Sequence, residues 1–224
     1  MKWNLFFKFI LGTLWIGGIS SGLALLWQYA ATDGKAASAP VHWPSANKIP
    51  PSKDRATLLI TLHPHCPCSR ATLGELAKLM SEAQGLLETH ALFIRPPGVP
   101  VDWEKTDLWL QASRIPGVSV VSDEAGQEAQ LFGAKTSGQA LLYDKQGILL
   151  FSGGITGGRG HAGDNEGRAA IVKLLRGEPS AKLQTPVYGC TLFAVQDDCA
   201  DQPACPTDHS PSSPKQVIQN AFSR

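Results

Sequence analysis

The stretch "FILGTLWIGGISSGLALLWQYA", Phe9 to Ala30, runs for 22 residues without a charge. About 20 apolar residues cross the hydrocarbon of a bilayer as one helix. Lys2 and Lys8 on the leading side keep the N-terminus in the cytoplasm, and Trp3, Trp27 and Tyr29 stand near the two ends, where aromatic rings favour the headgroup region. A cleaved secretory signal would have a shorter apolar core, about 7–15 residues, ending at a small-x-small site. The best such site, Ala37-Ser38-Ala39, lies far downstream and is followed by Pro40. Residues 1–31 are therefore expected to be a cytoplasmic N-terminus and a single-pass anchor in the inner (cytoplasmic) membrane. Everything from residue 32 onward is exported on either reading.

Export gives the cysteines their meaning, because disulfides persist in an oxidising compartment. There are five, Cys66, Cys68, Cys190, Cys199 and Cys205, so one of them lacks a partner within the chain. Charge points nowhere: 20 Lys and Arg against 19 Asp and Glu, with no basic stripe interleaved with aromatics, exclude a nucleic-acid partner.

Residues 32–53 are rich in Ala, Pro and Ser without periodicity, which reads as a linker lifting a domain off the membrane. "ATLLITLHP" is a short, continuous apolar run ended by Pro64, the pattern of a central strand buried on both faces. "SRATLGELAKLMSEAQ" places Leu73, Leu76, Ala77, Met80 and Ala83 on one helical face. "HALFIRPP" and "GVSVVSD" are further strands, and "DWEKTDLWLQASRI" between them is helical, with Trp103, Leu108, Leu110 and Ile115 as its apolar surface. "EAGQEAQLFGA" is a short helix. "QALLYDKQGILLFSGGI" is a hairpin around "DKQG", and "RAAIVKLLRGE" is the last helix, capped by Asp164 or Asn165. Alternating elements imply a parallel core sheet flanked by helices, with an antiparallel hairpin at one side. The domain is expected over 54–195. The tail, 196–224, is too polar and Pro-rich to fold alone, and Cys199 and Cys205 would close a local loop in it.

The chemistry concentrates in "HPHCPCSR", residues 63–70, at the carboxyl end of the first domain strand, where open α/β sheets place their sites. Pro67 suits a first helical turn. Cys66 then sits at the helix N-terminus, where unpaired N–H groups favour an anion and lower a thiol's pKa. His63, His65, Cys66 and Cys68 are also ligand types for copper or zinc, with His161 as the remote donor one short segment would need. A single histidine of the pair could instead hydrogen-bond the thiolate. The loop Gly153–Gly167 holds seven glycines but lacks the Lys-Ser/Thr ending of a P-loop, and reads as a mobile connection beside the site. No spaced carboxylate pair or Gly-x-Ser-x-Gly motif suggests a hydrolase.

Strand, cysteine at the helix start, βαβ, hairpin and final helix resemble the thioredoxin-like superfamily, over roughly residues 54–190 and most closely its exported TlpA-like and peroxiredoxin-like branch. "GRGHAGDNEGR" with "TPVYGC" resembles the RedB family. The resemblance implies an α/β three-layer sandwich with a central mixed sheet, preceded by one transmembrane helix. It implies a thiol–disulfide oxidoreductase with no cofactor beyond its redox-active disulfide. Its partners would be protein thiols and disulfides or a membrane electron donor. Cys66 would attack and Cys68 would resolve the mixed disulfide at this Cys-Pro-Cys site, with Cys190 as the alternative resolving partner. Pro67, Ser137 and Gly138 would contact substrate. Copper-delivering relatives of the Sco type imply the alternative, a metallochaperone using His63, His65, Cys66, Cys68 and His161. A domain that kept the fold without the activity is the third reading.

The chain departs from the family pattern in three places. Cys66-Pro67-Cys68 has one residue between the cysteines where the family has two. Helical positions two apart diverge by about 200°, so a direct bridge requires Cys66 to lie outside the helix proper. Thr136-Ser137-Gly138 stands where relatives place a cis-proline, and His63 stands where a peroxidase would have Thr.

Overall fold

The first domain strand has apolar side chains on both faces, so it needs cover on both. In the computed structural model, which describes residues 2–193, β1 (Ala56–Leu62) sits at the centre of a five-stranded sheet. β2 (Leu87–Arg95) pairs parallel to it, and β3 (Val118–Glu124) pairs parallel to β2. On the other side β4 (Gln139–Tyr143) pairs antiparallel to β1, and β5 (Leu149–Gly154) antiparallel to β4. The order is β3-β2-β1-β4-β5, the mixed sheet with a hairpin at one side that the sequence pattern implies.

Leu58, Ile60 and Leu62 face one layer. There they meet Leu73, Leu76, Leu79 and Met80 of α2 (Pro67–Glu82), Leu108 and Ala112 of α3 (Asp107–Ser113), and Ala170 and Ile171 of α5 (Glu166–Leu175). Asn165 caps α5, its side-chain oxygen accepting from Arg168 N at 2.8 Å, as capping chemistry predicts. Ala77, expected on the buried face of α2, is exposed.

Leu59 faces the other layer with Leu92, Leu141 and Tyr143. The cover there is α4 (Gln127–Leu131) with Phe132 and, unexpectedly, residues 37–49 of the segment read as a linker. Trp43 stands edge-on to Phe132 and Tyr143, at ring distances of 4.8 and 5.0 Å. Backbone bonds Ser38 N to Gly133 O (3.2 Å), Trp43 N to Gly147 O (2.8 Å) and Leu149 N to Val41 O (2.8 Å) hold the segment down. Its composition matched a tether because a strap needs only a few apolar contacts, and backbone bonding leaves no periodicity.

α3 is shorter than expected. Residues 100–106 form turns, closed by Trp103 N to Pro100 O and Lys105 N to Asp102 O, so Trp103 leaves the helix face and Leu110 is 55% exposed. Ahead of the domain, α1 (Lys2–Ala31) contains the apolar stretch Phe6–Ala31, with mean hydropathy 1.8 and none of it buried. That helix is long and apolar enough to cross a membrane. The proposed loop between Cys199 and Cys205 lies outside the described residues.

Trp43→Ala separates strap from tether. Removing this half-buried ring from its cluster should cost about 3 kcal/mol, read as a lower urea midpoint with unchanged slope. A free tether would leave the midpoint where it was.

Candidate functional site: three thiols at the start of a helix

β1 ends at Leu62, and the chain turns through Pro64 into α2. Cys66 N bonds to His63 O at 3.1 Å and Cys66 becomes the N-cap of α2, with extended backbone angles and Pro67 as the first helical residue. The side chain makes no capping hydrogen bond, so the sulfur is not tied up as a helix cap. Cys66 lies outside the helix proper, as a short cysteine spacing demands. Its thiol is nonetheless only 1% exposed, and Cys68 is 7% exposed. Sequence reasoning expected an open nucleophile. A shallow depression of about 190 Å³, lined by Pro64, His65, Cys66, Pro67 and Arg70 with α3's first turn, reaches the motif from outside.

Cys190 is the cover. The chain returns after α5 and pairs with the turn before β4: Ser137 N donates to Cys190 O (2.8 Å), Leu192 N donates to Lys135 O (2.9 Å), and Thr136 and Thr191 form an antiparallel bridge. This pairing sets Cys190 Sγ 2.7 Å from Cys66 Sγ. Cys66, Cys68 and Cys190 are all unbonded thiols.

Either sulfur of the close pair could hold the proton between them. Burial pushes the Cys66 thiol up, but hydrogen bonds from Cys190 and from the backbone N–H groups of Cys190, Ser69 and Cys68 outweigh it and leave Cys66 below its ordinary 9.0. Cys190 is pushed up to about 12 by burial, by donating to Cys66 and by the charge there. Cys68 is raised by burial and then by the Cys66 charge, although Arg159 and the Gly160 N–H pull the other way. Of the three thiols, Cys66 is the one whose ionisation the site favours.

Ser137 and Gly138, expected to contact substrate, are both buried. Ser137 Oγ accepts from His63 N at 2.9 Å and lies 2.9 Å from Ser69 Oγ, tying the turn to the cysteine segment. Gly138 N donates to Thr61 O. Gly138 has φ +92°, and a Cβ there would come 3.0 Å from Thr72 Oγ. Among the described residues no peptide bond is cis.

The proposed metal ligands are not gathered. The rings of His63 and His65 lie against Trp103, with centroids 5.7 and 4.4 Å away, and His63 Nδ1 accepts the His65 N–H. Burial and then repulsion from His65 lower the His63 pKa. His161 is exposed in a turn on Gly158. Among the described residues no three His, Cys, Asp or Glu side chains are placed to hold a metal ion.

The glycine loop is anchored, contrary to expectation. Glu75, fully buried in α2, accepts from Gly163 N (2.9 Å), Asn165 Nδ2 (3.1 Å), Arg168 Nε (3.0 Å) and Lys78 Nζ (2.8 Å). The loop thereby presents Gly160 N–H to Cys68 and Arg159 to the thiols. Arg159 also bonds Gly189 O at 2.7 Å. Sequence reasoning missed Arg159, Ser69 and Glu75. The signal for the first was a single arginine inside a run of glycines.

No family model matches this chain, and no curated protein does. Among solved structures it is similar to an uncharacterized conserved protein from Geobacillus kaustophilus, with a TM-score of 0.54, 20% identity, and coverage of 78% of this chain and 95% of that one. It is also similar to a hypothetical protein from Sinorhizobium meliloti 1021 (TM-score 0.52, 21% identity, 71% and 93% covered). An exposed lipoprotein thioredoxin from Streptococcus pneumoniae aligns at a TM-score of 0.40 with 19% identity, over 56% of this chain and 86% of that one. Identities of this size speak to fold and not to activity.

The charge division makes a pH prediction. A lowered pKa means the thiolate is present above that pKa and lost as pH falls through it. Ultraviolet titration of the reduced chain with Cys199 and Cys205 changed to Ser should show one thiolate forming below 9.0 that disappears when Cys66 is also changed to Ser. Cys190 should ionise only near 12. Equal titration of all three thiols would contradict the assignment. The fold is thioredoxin-like, a five-stranded mixed sheet with its cysteine pair at the start of the first domain helix.

Proposed function

We propose that this chain is a membrane-anchored thiol–disulfide oxidoreductase working outside the cytoplasm, with Cys66 as nucleophile and Cys190 as resolving thiol. The observation that carries the proposal is the 2.7 Å approach of the two sulfurs at a helix N-terminus. A bond needs about 2.05 Å, so closure asks for little movement.

In the reducing direction the Cys66 thiolate attacks one sulfur of a protein disulfide. A Cys66 mixed disulfide forms, and the partner's other sulfur leaves as a thiolate. Cys190 gives up its proton, which that thiolate takes, and its sulfur attacks Cys66. The Cys66–Cys190 disulfide forms and the second substrate thiolate is released. The substrate gains two electrons and the protein loses two; an external dithiol, from a protein or a membrane electron donor, restores it. The same steps reversed oxidise a substrate dithiol. Arg159 and Gly160 N–H favour charge at Cys68, which supports a second exchange in which Cys68 displaces Cys190 from Cys66. Pro67 holds the helix start, and α1 supplies the single-pass anchor, with the domain on the exported side.

Mapping free thiols in the oxidised full-length chain should find Cys66 joined to Cys190. Cys66→Ser should abolish reduction of a protein disulfide. Cys190→Ser should slow turnover by about a hundredfold and accumulate mixed disulfide, while Cys68→Ser keeps most of the activity. A Cys66–Cys68 bridge, with Cys190 free and dispensable, would overturn the assignment of Cys190. Carbonate washing should leave the chain in the membrane fraction.

A further inference from the structure

The layer of the sheet away from α2 holds a cleft that the thiol chemistry does not use. Ser119, Val121 and Asp123 alternate along one face of β3, and Ile49, Pro50 and the first turn of α4 line the cleft with them. Its volume is about 360 Å³, in the range of small-molecule sites. Val121, Ile49 and Pro50 make its middle apolar, and its two ends are polar. His90 of β2 pairs with Ser119, and Asp123 stands four residues farther along β3, so the ends lie roughly 13 Å apart at about 3.3 Å per residue.

Each end holds a buried polar atom that meets no partner among the described residues. At one end it is His90 Nε2, on a side chain 9% exposed; at the other it is Glu128 Oε2, on a residue 5% exposed. Such atoms are costly to bury unpaired. Both ends also carry negative charge. Glu88 Oε1 lies 3.5 Å from His90 Nε2, longer than a hydrogen bond. Glu128 Oε1 accepts from Lys48 N at 3.2 Å, and Asp123 accepts from the N–H groups of Glu128 and Ala129, both at 2.8 Å. Burial holds the Asp123 carboxyl above its ordinary value, and the Glu128 charge adds to it. Burial holds His90 below its ordinary value, so its ring is neutral and has a nitrogen able to accept. The neighbouring cations are engaged elsewhere: Lys48 Nζ donates to Gln127 Oε1 at 3.4 Å, and Arg95 to Glu124 at 2.6 Å.

We propose that this cleft binds a linear aliphatic diamine. One ammonium donates to Glu128 Oε2 beside Asp123, the other to His90 Nε2 beside Glu88, and the methylene chain lies along Val121, Ile49 and Pro50. Both ends call for N–H donors that bring positive charge, and an ammonium group supplies the two together. Among the described residues no three side chains are placed to hold a metal ion, so the charge is met by hydrogen bonds and not by coordination. A monoamine would leave the polar atom at one end unpaired. The site is independent of the redox reading.

The test is calorimetric titration of the full-length chain, in a nonionic detergent and an amine-free buffer near neutral pH. The probes are putrescine, cadaverine and diaminooctane, each set against the monoamine of the same carbon chain. At least one diamine should saturate the chain with a Kd of about 1 mM or tighter, and bind about tenfold or more tighter than its monoamine. Glu128→Gln keeps the oxygen that accepts from Lys48 N and removes the charge, and should weaken that diamine by about tenfold or more. His90→Phe should bring the diamine down to the level of its monoamine, with His90→Leu in its place should the first not fold. No saturation by any diamine, or an affinity indifferent to Glu128→Gln, would overturn the site. A diamine held no tighter than its monoamine, or an advantage that survives the loss of His90, would overturn the two-ended assignment.

Discussion

Everything in the domain depends on a central strand that must be dry on both sides. Leu58, Ile60 and Leu62 on one face of β1 and Leu59 on the other are fully buried, each worth about 1.5–3 kcal/mol of burial. Two different covers meet that demand, helices α2, α3 and α5 on one face and α4 with an irregular strap on the other. Helix α2 has to begin where β1 stops if it is to cover Leu58, Ile60 and Leu62, and its first turn therefore points at the sheet's carboxyl end. Cys66 is placed by the need to bury leucines.

Placement becomes chemistry through an unequal sharing of charge. Three thiols in one buried spot cannot all ionise, because each thiolate raises the others. The helix N–H groups favour Cys66, and Arg159 and Gly160 moderate the cost at Cys68. Cys190 keeps its proton and serves as donor. The Glu75 cluster belongs to this balance, since it holds the loop that carries Arg159. A buried carboxylate with four donors around it, Arg168 and Lys78 among them, is compensated for its lost hydration.

The strand–helix alternation, the hairpin, the cap at Asn165 and Cys66 at the helix start were legible, because each follows from local pattern and backbone chemistry. What was not legible depends on contacts distant in sequence. Residues 37–49 have no period to read, since backbone bonds to Gly133 and Gly147 hold them rather than an apolar stripe. Trp103 reads as a helix residue, yet goes to His63 and His65 across a turn. Cys190 was visible as a second candidate, but its approach to Cys66 comes from pairing between 135–137 and 190–192, which no spacing reveals. The glycine loop reads as loose because Glu75, 88 residues from Gly163, cannot be seen from within it.

Arg159 has one more consequence. Its N–H bonds Ala30 O and its Nε bonds Thr32 O, both at 3.0 Å, and its guanidinium stands 5.2 Å from the Tyr29 ring centroid. The last turn of α1 is thus fastened to the same side chain that steadies the carbonyl beside Cys190. The end of the helix and the thiol site are thereby joined through one residue. Lengthening the chain between residues 31 and 34 would separate the helix end from the arginine that both the helix and the thiol site share.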